Sequence, residues 1–97
     1  MSNFVISYNI ITNNRLDGKN SKEVAENLEK KLAKMNGQKA LSNMWFCSYD
    51  GHTKDLLRDL KSSLNIEEDS IVAAKLKSRP GTWRANLGSK IWLDNNF

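Results

Sequence analysis

The chain begins with an apolar run, Phe4-Val5-Ile6-Ser7-Tyr8-Asn9-Ile10-Ile11, with no helical period. Aromatic and β-branched side chains at both parities predict a buried strand. Phe4, Ile6, Tyr8 and Ile10 share one face, with Val5, Ser7, Asn9 and Ile11 on the other. Thr12-Asn13-Asn14 and Asp17-Gly18 are turn formers and close it. The period then changes. Asn20 followed by Glu23 resembles a capping box, and Val24, Leu28, Leu32 and Met35 recur at three- and four-residue spacing. This predicts a helix that stops at Asn36-Gly37.

Gln38 to Leu41 reads as a short strand, Ser42-Asn43 as a tight turn or bulge, and Met44 to Tyr49 as a strand buried on both faces. Asp50-Gly51-His52-Thr53 is a loop that leads into a second helix, with Leu56, Leu57, Leu60 and Leu64 on its buried side and its end at Asn65. Asp69 to Lys77 alternates again, with Val72, Ala74 and Leu76 opposite Ile71, Ala73, Lys75 and Lys77. The order strand-helix-strand-strand-helix-strand is that of a split βαββαβ, ferredoxin-like α+β fold, an antiparallel sheet with two helices on one face. Residues 1–80 would form this core. Arg79-Pro80-Gly81 interrupts regular structure, leaving residues 81–97 as a basic, aromatic tail within the single domain. Because the first and third strands are apolar on both faces, the second face needs a cover, either the tail or a second subunit. A homodimer through the open sheet faces is the expected assembly.

Composition narrows the classes. At 39% hydrophobic and 27% charged, the chain is too apolar for disorder, and no run approaches the ~20 apolar residues of a membrane span. No basic segment followed by a long apolar one marks the N-terminus, so no membrane partner is expected. The single Cys47 has no intrachain partner for a disulfide, which suits a reducing cytoplasm. The net charge of +4 is unevenly placed. Residues 1–70 balance ten Lys and Arg against ten Asp and Glu, whereas residues 71–97 hold Lys75, Lys77, Arg79, Arg84 and Lys90 against Asp94. A concentrated basic end fits phosphate or an acidic protein surface; it also fits an edge strand guarded by lysines. Arginine forks onto phosphate and tryptophan stacks on a base, so Lys75, Lys77, Arg79, Trp83 and Arg84 are the candidate binding residues. Arg79, Trp83 and Arg84 also fit a protein hot spot, and the alternative for Trp83 is a plug at the end of the core.

Tyr8-Asn9-Ile10 closing the first strand, the Ser42 to Cys47 Ser-x-x-Trp-Phe strand, Glu68-Asp69-Ser70-Ile71-Val72, a late Trp83 and the Lys90-Ile91-Trp92-Leu93 ending resemble the SinR-like small proteins. These are similar in turn to the second CRISPR-associated protein family. The resemblance spans most of the chain and implies a ferredoxin-like domain that dimerises through its sheets, in a phage or mobile-element defence setting. Some relatives are described as metal-dependent nucleases and others as nucleic-acid binders. In the nuclease-like members an Asp closing the first strand holds a divalent metal across the dimer axis. Asn9 stands at the matching position, and an amide brings no charge to a hard cation.

Other chemistry is sparse. Asp17 and Asp50 could replace the missing ligand but read more simply as turn residues. His52 beside Asp50 could serve as a general base, or cap the following helix. Cys47 lies in an apolar strand and reads as inert. The expectation is a noncatalytic protein without a cofactor that binds nucleic acid or a host protein. The alternative is a metal-dependent endonuclease using Mg²⁺ or Mn²⁺ through a displaced carboxylate.

Overall fold

A computed structural model describes residues 1–97. Its elements are β1 (Ser2–Asn9), α1 (Ser21–Ala33), β2 (Gln38–Leu41), β3 (Met44–Tyr49), α2 (Thr53–Lys61), β4 (Ser70–Leu76) and α3 (Leu87–Asn96). The four strands form one antiparallel sheet in the order β2-β3-β1-β4. Each βαβ unit is therefore split by a strand of the other, the ferredoxin-like arrangement the sequence pattern predicts. Asn20 caps α1, its side chain accepting from the Lys22 amide at 2.8 Å.

The strand parities sort the core into two layers. Phe4, Ile6 and Tyr8 of β1, with Trp45 and Cys47 of β3, pack against Leu28 and Leu32 of α1 and Leu56 and Leu60 of α2. On the opposite face Phe46 packs with Trp92 and Leu93 of α3, with Val5, Ala40 and Leu76 around them. The tail thus folds onto its own sheet.

Residues 81–97 are more ordered than a docked tail. Asn86 is the N-cap of α3, its side chain accepting from the Ser89 amide at 2.7 Å. Ser89, Trp92, Leu93 and Asn96 then fall on the face turned to the sheet. The Trp92 ring stacks on Phe46 with centroids 5.3 Å apart and planes at 16°. Its Nε1 donates to the Asn36 carbonyl at 2.6 Å, while Asn3 Nδ2 donates to the Asn96 carbonyl at 2.9 Å. The first two helices are shorter than periodicity predicts. Asn36 takes a left-handed φ of 53°, and a side chain on Gly37 would sit 2.1 Å from the Leu32 carbonyl oxygen. Helix α1 therefore ends before that turn, at Ala33. α2 stops at Lys61, so Leu64 packs from the turn beyond it.

An ion-pair staple closes the other end. Arg15, almost wholly buried, donates from Nη1 to Asp69 Oδ1 and from Nη2 to Asp17 Oδ2, both at 2.8 Å, and to the Ile11 carbonyl at 2.9 Å. Asp69 also accepts the backbone amides of Ile11 and Asn65. This ties the β1–α1 loop to the segment that enters β4. It also engages Asp17, which accepts the Lys19 amide as a turn residue does, and so removes the alternative of a replacement metal ligand there.

Two predictions follow from this packing. Trp92→Ala should cost about 3–5 kcal/mol in urea unfolding, the usual range for deleting a buried tryptophan, whereas a loosely held α3 would give a loss below about 1 kcal/mol. The second concerns acid. The Arg15 hydrogen bond, aided by the two amides, holds the Asp69 carboxyl at about 2 against an ordinary 3.8. Its contribution is complete above 3.8 and is lost as pH falls toward about 2. Melting temperature should drop through that window in the native protein. Asp69→Asn should start lower at neutral pH and fall less steeply; an unchanged acid profile would refute the staple.

Candidate binding groove on the open sheet face

Helix α3 covers only part of the second sheet face. Beside it the segment from Ser78 to Asn86 crosses back over the sheet as a strap, because Pro80 and Gly81 interrupt regular structure after β4. Between strap and sheet lies an apolar groove of about 340 Å³. Val5, Met44, Phe46 and Leu76 line it from the strands, Pro80 and Trp83 from the strap, and Ser89 from α3. The strand contributions come from the second face, as the alternation in β1, β3 and β4 dictates.

Trp83 is 85% exposed, so it is not a plug for the core. Arg84 has a left-handed φ of 56°, and its guanidinium carbon lies 4.7 Å from the Trp83 ring centroid. This is cation–π geometry, worth ~0.5–1 kcal/mol at an exposed site.

The other candidate residues are distributed unevenly. Arg79 pairs with Asp94 of α3, so the strap is tied to the helix and that cation is partly neutralised. Lys75 lies across from Phe4, on the helix-bearing side of the β4 edge. It shares the basic segment with Arg84 but not the groove. Lys77 follows Leu76 at the end of β4. The sequence signals the basic, aromatic strap but not the groove beneath it, which needs the tertiary placement of α3.

Asn9 ends β1 opposite Ser70 and is exposed. Ser42, Asn43, Thr12 and Lys22 line the shallow hollow beside it, a neutral and cationic set that fits a hard divalent ion poorly. No group of three His, Cys, Asp or Glu side chains converges anywhere in the structure. Asp17 is engaged by Arg15. Asp50 follows Tyr49, which pairs with Ser2, so it lies at the far end of β1 from Asn9, about 20 Å away at strand rise. His52, exposed at the same end, makes no side-chain cap bond to α2. The structure therefore brings none of these residues together with Asn9. No helix is long and apolar enough to cross a membrane.

No family model matches the chain, and no curated protein matches it. Among solved structures it is similar to a hypothetical protein, TT1823, from Thermus thermophilus. The TM-score is 0.66 at 15% identity, over 89% of this chain and 95% of that one. At that identity the likeness shows the ferredoxin-like fold alone.

Cys47 is buried, and burial pushes its thiol up to about 12. It should react with a thiol-selective reagent such as dithionitrobenzoate only after denaturation. Rapid labelling of the folded protein would contradict its place in the helix-side core.

Proposed function

We propose that the chain is a noncatalytic binding protein of the SinR-like kind whose basic strap holds an anionic partner, either nucleic acid or an acidic protein surface. The observation that carries this reading is Trp83, held out beside Arg84 at the mouth of an apolar groove. A large aromatic left in solvent with a cation on its ring is contact surface awaiting a partner. Arg84 and Lys90 make no ion pair, so their charge is available to that partner; Lys75 and Lys77 are also unpaired, but Lys75 lies on the helix-bearing side and adds only to the positive field of the segment. Catalysis is disfavoured because Asn9 has no carboxylate beside it and Asp17 is engaged elsewhere. The reading places the protein in the cytoplasm, in a phage or mobile-element setting. Helix α3 leaves only the strip around Leu41, Met44 and Val72 for pairing two open sheet faces into a homodimer, the competing occupant of this same surface; sedimentation measures it directly.

The test is a gel shift and a solution titration with single-stranded RNA and DNA at about 50 mM salt, a condition favouring even nonspecific binding. Nucleic-acid binding should weaken with salt by roughly 0.7–0.9 log units per log unit for each phosphate neutralised. Arg84→Ala should lower both affinity and salt slope without changing the melting temperature. Arg79→Ala should lower affinity less, because Asp94 already offsets that charge. Binding of neither nucleic acid nor acidic protein would overturn the proposal. Mg²⁺ or Mn²⁺ should leave the melting temperature unchanged, since a ligand of the folded state would raise it. Metal-dependent cleavage that disappears in Asp50→Ala would instead establish the nuclease alternative.

A further inference from the structure

The groove discriminates between the two classes of anionic partner. Its lining reaches the surface through aliphatic and aromatic side chains, with Leu41 58% and Trp83 85% exposed. A nucleic acid brings phosphates and flat bases and has no aliphatic surface to pair with such a lining. It would also meet a Trp83 ring already contacted by Arg84, which leaves less of the ring for base stacking. A protein segment brings a leucine or aromatic side chain that fills a slot of this kind. The volume, about 340 Å³, is at the small end of ligand pockets, which run roughly 300–1,000 Å³, and suits one or two such side chains.

Charge around the slot has one sign. Arg84 lies against Trp83 at the mouth of the slot, and Lys90 is exposed on α3 one residue after the lining Ser89; neither is ion-paired. No carboxylate lines the groove. Asp94, the one acid in residues 71–97, is held by Arg79. The mode of docking is constrained as well. β2 is an edge strand, but Asn86 Nδ2 donates to the Lys39 carbonyl at 3.1 Å and to the Ala40 carbonyl at 3.4 Å. The start of α3 therefore occupies backbone acceptors that an added strand would need.

We propose that the groove is a docking site for an acidic protein segment that inserts one apolar anchor side chain between the strap and the sheet, with Arg84 and Lys90 facing its carboxylates. The proposal rests on the reading of the strap as a site for an anionic partner and selects protein over nucleic acid. The anchor supplies affinity through burial in the slot, and the surrounding cations steer and orient the segment.

The experiment selects binders of the full chain from a random displayed peptide library. The best sequences are then titrated as synthetic peptides, beside a fluorescent oligodeoxythymidine. The selected sequences should combine several Asp or Glu with a leucine or aromatic residue. Replacing that anchor by serine should weaken binding at least about tenfold, as should Trp83→Ala or Leu41→Glu in the protein. Both protein substitutions are at exposed positions and should leave the melting temperature in place. Neutral or basic selected sequences, or affinity indifferent to both protein substitutions, would overturn the inference. So would failure to select any binder, or occupation of the face by a second copy of the chain. Binding of the oligonucleotide and of anchor-free acidic peptides alike, sensitive to Arg84→Ala, would overturn the anchor while leaving the strap as an anion site. Binding of neither would sink both readings.

Discussion

The stack of Trp92 on Phe46 is the contact on which the rest of this molecule depends. A four-stranded sheet with two helices buries only one of its faces, and here the strands are apolar on both. Val5, Phe46 and Leu76 would otherwise face water together. Helix α3 removes them from it, and Trp92 fixes the placement in two ways. Its ring covers Phe46, and its Nε1 satisfies the Asn36 carbonyl at the turn after α1. Asn36 in turn donates to Asn96 Oδ1 at 3.0 Å and to Ser48 Oγ at 3.2 Å, so the helix is registered against both the turn and the sheet. In a domain of this size, with a total stability of ~5–15 kcal/mol, a tryptophan worth several is a large share.

Because α3 is ten residues long, it cannot span the whole face. The chain must also cross from the end of β4 to the start of α3 on the far side, and the strap is that crossing. The groove is the space this route leaves uncovered. Arg79 and Asp94 pin strap to helix, and Arg84 in its left-handed conformation lies against Trp83. The site is thus a by-product of how the second sheet face is covered. At the opposite end Arg15, Asp17 and Asp69 do different work, holding two loops together with their charges mutually satisfied.

Much of the architecture was readable from periodicity. The switch from the two-sided β1 run to the stripe of Val24, Leu28 and Leu32, and the alternation of β4, were sufficient for the ferredoxin-like order. Helix ends were less readable, because Met35 and Leu64 continue the apolar spacing from turns outside their helices. α3 was missed because Lys90, Ile91 and Leu87 are exposed and blur the stripe formed by Ser89, Trp92, Leu93 and Asn96. The cap at Asn86 was the available signal. Of the candidate site, Trp83 and Arg84 were legible as a basic, aromatic pair. The neutralisation of Arg79 was not, since its partner lies on a helix the pattern did not reveal. Arg15 gave no signal at all: its two carboxylates are distributed between Asp17 beside it and Asp69 far along the chain.

The central claim is that α3 sits on its own sheet while Trp83 stands free beside it. Acrylamide quenching of tryptophan fluorescence tests this directly, comparing the native chain with Trp83→Phe and Trp45→Phe, both of which keep Trp92 in place. Trp83 should be quenched nearly as readily as free tryptophan, with Trp45 and Trp92 strongly protected in the folded chain. A Trp92 as accessible as Trp83 would mean that α3 does not cover the sheet, and a protected Trp83 would mean that the groove is already filled; either result contradicts the account.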